Sequence, residues 1–371
     1  MSFSILKRHK KILICLISIV CLVSLQAKTI VPEKNTTEKT TKSKPIPQKV
    51  IDAIAKKIPV TAPLTVSEKL FIERTANLYH LKAKDLEKIL HEAQYRKKVL
   101  DLINHPYESK PWYTYRDFLI TPSRIQNGVD FWKKNADTFQ YVEDQYNVPA
   151  KVIAGILGVE TDYGQKLGKF RVLDALTTLS FYYPARTKFF RSQLAEFILY
   201  CNANHIDPSS IMGSYAGAIG QPQFMPSSIM DYGVDHSKTG SIDLIHDEGD
   251  VIASIANFLE KHDWQKDQPV AILAKVSSRR ELHFLLERLH PDLSIAQWEL
   301  YGVHPTIPTA PTLRARLLSM KIKDGYEYWL VFQNFDVIKT YNNSDNYALA
   351  VTVLGTKVQT TYENTSHEKN T

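Results

Sequence analysis

At 371 residues the chain is long enough for a large core and more than one folding unit. Hydrophobic residues at 44% and charged residues at 23% match an ordinary globular protein and exclude a disordered or fibrous one. The net charge of +7 belongs to the N-terminal segment: residues 1–27 hold four basic side chains and no acid, and residues 28–60 hold eight lysines against Glu33, Glu38 and Asp52. The remainder is slightly acidic, so the folded part gives no support to a nucleic-acid partner.

The chain opens with the basic cluster "KRHKK" at 7–11, the uncharged run "ILICLISIVCLVSL" at 12–25, and a small residue, Ala27. That is the layout of a secretory signal peptide over residues 1–27, and the run is short for a membrane span. An uncleaved inner-membrane anchor is the alternative reading. Cys15 and Cys21 fall inside this leader, leaving Cys201 without an internal disulfide partner. Ile14 and Val20 stand where lipid attachment to those cysteines would want a small residue. The expectation is an exported, periplasmic protein. Residues 28–60 are rich in Lys, Thr and Pro and are predicted to be a disordered basic linker. Peripheral proximity to an acidic membrane or wall polymer stays open for it.

Apolar residues at three- and four-residue spacing predict helices near 66–79, 83–104, 122–146, 149–161, 187–204 and 249–262. Residues 268–340 change character. "PVAILAKV", "TLRARLLSM", "YEYWLVF" and "FDVIKTY" are short, β-branched or aromatic, and separated by turn residues, which predicts a small sheet. A last helix is expected at 343–355, followed by a flexible tail over 356–371. The fold class is α+β and mainly helical: a body formed by 61–267 and 341–355, with a small β-rich domain over 268–340.

Within "GILGVETDYG", residues 155–164, a glutamate ends an apolar run. Asn147 is expected to cap the helix and Pro149 to sit in its first turn, placing Glu160 in the last. Desolvation and the negative end of the helix dipole both favour the protonated carboxyl, the state a general acid needs. The competing reading is a glutamate whose head merely reaches water. "GSYAGAIGQPQFMPSS", 213–228, has three glycines and two prolines among small residues and is expected to be irregular. Ser228 and Asp231 could cap the helix that follows. Its Ser214, Tyr215 and Gln223 offer neutral hydrogen-bonding groups suited to a sugar, although an Ω-loop with structural glycines would look similar. "YNNSDNYALAV", 341–351, and "PWYTYRDF", 111–118, add tyrosines and amides, which suit carbohydrate but also serve core packing.

The segments "PWYTYRDFLITPSRIQNGVDFW", "GVETDYG", "DALTTLSFYYPARTKFF", "GSYAGAIGQPQFMPSS" and "TYNNSDNYALAV" together resemble the lytic murein transglycosylase B family, in that family's order and over roughly residues 70–355. The resemblance implies a lysozyme-like helical core with a small β domain, Glu160 as catalytic acid/base, and a cleft lined by Tyr115, Ser214, Gln223, Tyr341, Asn342 and Tyr347. Arg186 matches one member of the family's arginine pair, while Ala185 replaces the other. It further implies cleavage of the MurNAc–GlcNAc β-1,4 bond of peptidoglycan without water and without a cofactor, leaving 1,6-anhydroMurNAc ends. Glycoside hydrolysis ordinarily uses two carboxylates. Near Glu160 the only other is Asp162, which need not share its face. A hydrolytic muramidase and a non-catalytic wall-binding protein are the alternatives. Glycan strands are the expected partner, with other cell-wall enzymes left open. Residues 235–250, "DHSKTGSIDLIHDEGD", stand where relatives carry an acidic loop resembling an EF-hand. Lys238 and Thr239 make it poor in charge, so no metal is expected.

Overall fold

The computed structural model describes residues 64–104, 110–277 and 291–367; the expected leader and linker lie outside the described residues. Helix α1 (Val66–Tyr79) opens on a capping box formed by Thr65 and Glu68 and has the predicted bounds. The predicted 83–104 helix is instead two, α2 (Ala83–Glu92) and α3 (Lys97–Ile103). Between them the backbone N–H groups of Gln94 and Arg96 donate to Asp174 and Thr178 at 2.9 and 3.0 Å. Asp174 is fully buried and also pairs with Arg96 and Arg171, so a tertiary anchor replaces helical hydrogen bonds there.

Helix α4 (Trp112–Leu119) was read from the sequence only as an aromatic cluster. The predicted 122–146 helix is also two, α5 (Pro122–Lys134) and α6 (Ala136–Tyr146), broken at Asn135. That side chain turns back to the Phe131 carbonyl at 3.0 Å and reaches Glu248 at 2.8 Å. Helix α7 (Ala150–Thr161) follows. Asn147 does not cap it: Asn147 is the left-handed end of α6, and Pro149 precedes α7 with no side-chain cap. A two-stranded ribbon pairs β1 (Phe170–Arg171) with β2 (Met212–Gly213) around α8 (Val172–Tyr182) and α9 (Thr187–Ala203). Cys201 is buried in α9, and burial pushes its thiol up to about 12, which keeps it inert. Helix α10 (Pro226–Tyr232) starts before Ser228, which is therefore inside it and caps nothing. Helix α11 (Glu248–Lys261) is capped by Asp247.

A five-stranded antiparallel sheet comes next, built from β3 (Ala271–Val276), β4 (Asp292–Ser294), β5 (Val303–Pro305), β6 (Arg314–Ile322) and β7 (Gly325–Val331), in the order β4-β6-β7-β3-β5. One face packs on α12 (Ile295–Leu300), where the fully buried Trp298 donates to the Ala315 carbonyl at 2.8 Å. The other face, with Met320 and Val331, joins the main core. "FDVIKTY" is not a strand. It lies in helix α13 (Gln333–Tyr341), whose Phe335, Val337 and Ile338 enter the main core, so the helical body resumes at about 333. The alternation of Phe335, Val337 and Ile338 fits both periods, and tertiary packing decides between them. Asn334 pins the junction, with its side chain bonded to Gln265 and Gln268 at 2.8–2.9 Å.

The last helix, α14 (Asp345–His367), overturns the expected tail at 356. Val358 is fully buried and Tyr362 stacks on Trp132 at 5.3 Å, so the amphipathic face continues past Gly355. Helix α14 crosses α7 antiparallel and very close. A Cβ placed on Gly155 would lie 2.2 Å from the Val351 carbonyl, and one on Gly355 would lie 2.0 Å from that of Lys151. Only glycine permits this approach.

In an isolated helix Gly→Ala stabilises by about 1 kcal/mol. Gly155→Ala is expected to do the opposite, lowering stability by about 1–3 kcal/mol as overpacking does. Denaturant midpoints at constant m-value read the sign directly.

Candidate active site

The close crossing places Glu160, half-buried in the last turn of α7, against the start of α14. There the Tyr347 hydroxyl donates to Glu160 Oε1 at 2.7 Å. Burial first, then the charge of Glu160 and the neighbouring Tyr341, push the Tyr347 phenol well above its ordinary value. It therefore stays protonated and remains a donor across the physiological range. Tyr341, at the end of α13, lies nearly parallel to Tyr347 with ring centroids 6.2 Å apart, and its hydroxyl donates to the Pro222 carbonyl at 2.5 Å. Tyr115 of α4 is buried, and α4 packs against the helix that carries Tyr347. Asn342 follows Tyr341 in extended conformation, and its Oδ1 is buried without a hydrogen-bond partner.

The 213–224 loop packs beside the tyrosine pair. Ser214 Oγ accepts the backbone N–H groups of Ala216 and Ala218 at 3.2 and 3.0 Å, so the serine shapes its own turn. Isolated bridges join Gly213 to Ile219 and Ile219 to Phe224. Gln223 takes a left-handed conformation, φ 50°, and its Nε2 donates to the carbonyls of Gly220 and Leu167 at 2.9 and 3.3 Å. Phe224 packs on Tyr341 at 5.7 Å, joining the loop to the tyrosine pair.

Two residues beside Glu160 have roles that periodicity did not reveal. Thr161, fully buried, donates to the Gln221 carbonyl at 2.8 Å and fastens the loop to the helix that carries Glu160. Asp162 takes a left-handed conformation, φ 54°, and turns into a different set of partners. Its carboxylate lies 2.8 Å from Lys166, 3.0 Å from Asn127 and 3.6 Å from Arg124. Burial works to raise its pKa, but the hydrogen bonds from Lys166 and Asn127 and the Arg124 charge outweigh it, and the net shift is downward. Asp162 is thus an anion locked in a structural pair. Lys166, at i+4 from Asp162, was the sequence signal for this.

Arg186 is not drawn into the tyrosine cluster by any contact. It sits on the short 3₁₀ turn Pro184–Arg186, with its guanidinium 4.2 Å from the Phe189 ring centre and 5.6 Å from that of Phe190. The 235–250 loop is closed by its own hydrogen bonds. Asp235 accepts the N–H groups of Thr239 and Gly240 at 2.9 and 2.8 Å. Asp250, fully buried, accepts those of His236, Ser237 and Asp243 at 2.8–3.2 Å. Among the described residues, no three His, Cys, Asp or Glu side chains gather to hold a metal.

Comparison with known proteins decides the family. The model described as "Transglycosylase SLT domain" matches residues 67–356. The chain is 39% identical to the membrane-bound lytic murein transglycosylase B of Escherichia coli over 298 residues, covering 78% of this chain and 81% of the relative. The chain belongs to the SLT transglycosylases, as a member of the lytic murein transglycosylase B family. The crystal structure of catenated SltB1 from Pseudomonas aeruginosa superposes on this transglycosylase with a TM-score of 0.74 at 35% identity, covering 81% of this chain and 99% of that one. The lytic transglycosylase Slt35 of Escherichia coli, solved in complex with calcium, gives 0.73 at 37% identity over 80% of this chain and 94% of its own. The family and fold expected from the five motifs are therefore established.

The residues of this transglycosylase's 235–250 loop fit calcium poorly, since Thr239 stands at a carboxylate position and Lys238 adds a positive charge. Its melting temperature is expected to be unmoved by micromolar calcium or by chelator, with binding no tighter than roughly millimolar. A sharp calcium-dependent rise would overturn this. Tyr347→Phe keeps the ring but deletes the donor to Glu160. A hydrogen bond to a charged group contributes about 1.5–3 kcal/mol, so kcat should fall roughly 10- to 100-fold in a variant of near-native stability.

Proposed function

We propose that this lytic transglycosylase cleaves the MurNAc–GlcNAc β-1,4 bond of glycan strands with Glu160 as its single acid and base. As an SLT-family member it is a lyase acting on peptidoglycan. The observation that supports a single-carboxylate mechanism is the contrast between the two acids beside each other. Glu160 is aligned by the Tyr347 phenol at 2.7 Å, whereas Asp162 is held by Lys166 and Arg124.

In this reading Glu160 gives its proton to the glycosidic oxygen as the bond to MurNAc C1 breaks. The N-acetyl group of the substrate helps to stabilise the cationic centre, as in substrate-assisted glycosidases. The Glu160 carboxylate, steadied by the Tyr347 hydroxyl, then removes the proton of the sugar's own 6-hydroxyl. That oxygen closes on C1 and forms the 1,6-anhydro ring. The proton count balances and no water is consumed. Tyr115, Ser214, Gln223, Tyr341, Asn342 and Tyr347 would line the cleft, with the buried Asn342 Oδ1 open to a sugar amide or hydroxyl. Arg186, stacked on Phe189 rather than on an acid, would meet a carboxylate of the lactyl group or peptide stem.

The basic cluster, short apolar run and Ala27 support export to the periplasm, where this substrate is found. N-terminal sequencing of the mature protein should begin at Lys28; an intact leader would favour the inner-membrane anchor.

The decisive measurement is mass spectrometry of the muropeptides released from purified strands. The expected products end in anhydroMurNAc, one water lighter than hydrolysed ends, and reducing ends as the main product would assign hydrolysis instead. Glu160→Gln should lower turnover by roughly 10²–10⁴-fold or more while folding normally.

A further inference from the structure

The five-stranded sheet meets the helical body along α4, and one carboxylate stands at that seam. Glu327, in β7, accepts at Oε1 the indole N–H of Trp112 on α4 and, at 3.1 Å, that of Trp329 on its own strand. Its other oxygen lies 3.8 Å from the Arg116 guanidinium. Trp112 is only 2% exposed, so its N–H has no water to replace a lost acceptor. Charge-assisted bonds of this kind fix both distance and direction. An exposed pair, Lys323 and Asp117 at 4.0 Å, crosses the same seam without touching Trp112.

Three residues beyond Trp112, on the same side of α4, stands Tyr115. Tyr115 is buried there, and α4 packs against α14, whose Tyr347 hydroxyl holds Glu160. The start of α14 is tied to the same place, because Asn346 Nδ2 donates to the Lys110 carbonyl at 2.8 Å just before α4. Contacts therefore run from the sheet to α4, from α4 to the start of α14, and from Tyr347 to Glu160.

We infer that Glu327 is a positioning residue for the reaction. The sheet seats α4 through Trp112 and Arg116, and that seating sets where α14 presents the Tyr347 phenol to Glu160. The small β-rich unit is then part of the catalytic apparatus rather than an appendage. The inference rests on Glu160 being the acid.

The test uses the full chain, assayed well below each variant's melting temperature. Glu327→Ala should lower kcat about 10²-fold, the cost of a small misplacement at the reacting centre, with KM little changed. Glu327→Gln, whose amide oxygen still accepts an indole N–H, should recover most of that loss. Lys323→Ala, which breaks only the exposed pair with Asp117, should leave kcat unaltered. A folded Glu327→Ala with native kcat overturns the inference, and so does an equal loss in the glutamine and alanine variants. Should the alanine variant fail to fold, Trp112→Phe deletes the donor and keeps a ring in the slot; a native kcat there also overturns it. Glu160→Gln separates the two readings. If it is active, the acid assignment fails; if it is inactive while Glu327 variants are native, only the present inference fails.

Discussion

The site depends on two helices approaching closer than side chains ordinarily allow. Gly155 of α7 lies against the Val351 carbonyl and Gly355 of α14 against that of Lys151. With those contacts fixed, the antiparallel run of the two helices carries Glu160 to Tyr347. A bulkier pair at the crossing would separate the axes, and a hydrogen bond of 2.7 Å does not survive separation by a methyl group. The glycines cost helix propensity, and the fold recovers it through burial on both sides of the contact.

The apolar character of α7 has the same origin. Residues Val152 to Gly158 are all buried because α14 and the surrounding helices cover α7 on every side. The glutamate stands where that cover ends, half-buried in the last turn of α7. Two residues on, left-handed backbone at Asp162 and Tyr163 ends the helix and divides the acids between two environments. One carboxylate faces a phenol, the other faces Lys166 and Arg124. Environment, not residue type, distinguishes the two carboxylates.

The rest of the fold holds this corner still. Thr161 fastens the 213–224 loop to α7, the Tyr341 hydroxyl grips the same loop at Pro222, and Asn334 secures the sheet to the body. Such side-chain links to backbone carbonyls fix direction as well as distance, which apolar packing alone does not supply.

The sequence by itself determined the family, the mainly helical α+β class, the bounds of α1 and the position of Glu160 in the last turn of α7, because these rest on local periodicity and on motifs contiguous in the chain. Three of the four predicted strand segments became β3, β6 and β7 for the same reason. Only the tertiary structure decided where 83–104 and 122–146 break, since Asp174, remote in sequence, accepts a backbone N–H between α2 and α3, and Glu248 holds the Asn135 side chain between α5 and α6. It decided that "FDVIKTY" is helix and that α14 continues to His367, because burial against the main core and Trp132 outweighs local pattern. It also decided which acid Tyr347 meets, as 187 residues separate the phenol from Glu160 along the chain. Pattern reports what a segment can bury; only the assembled core specifies what it is buried against.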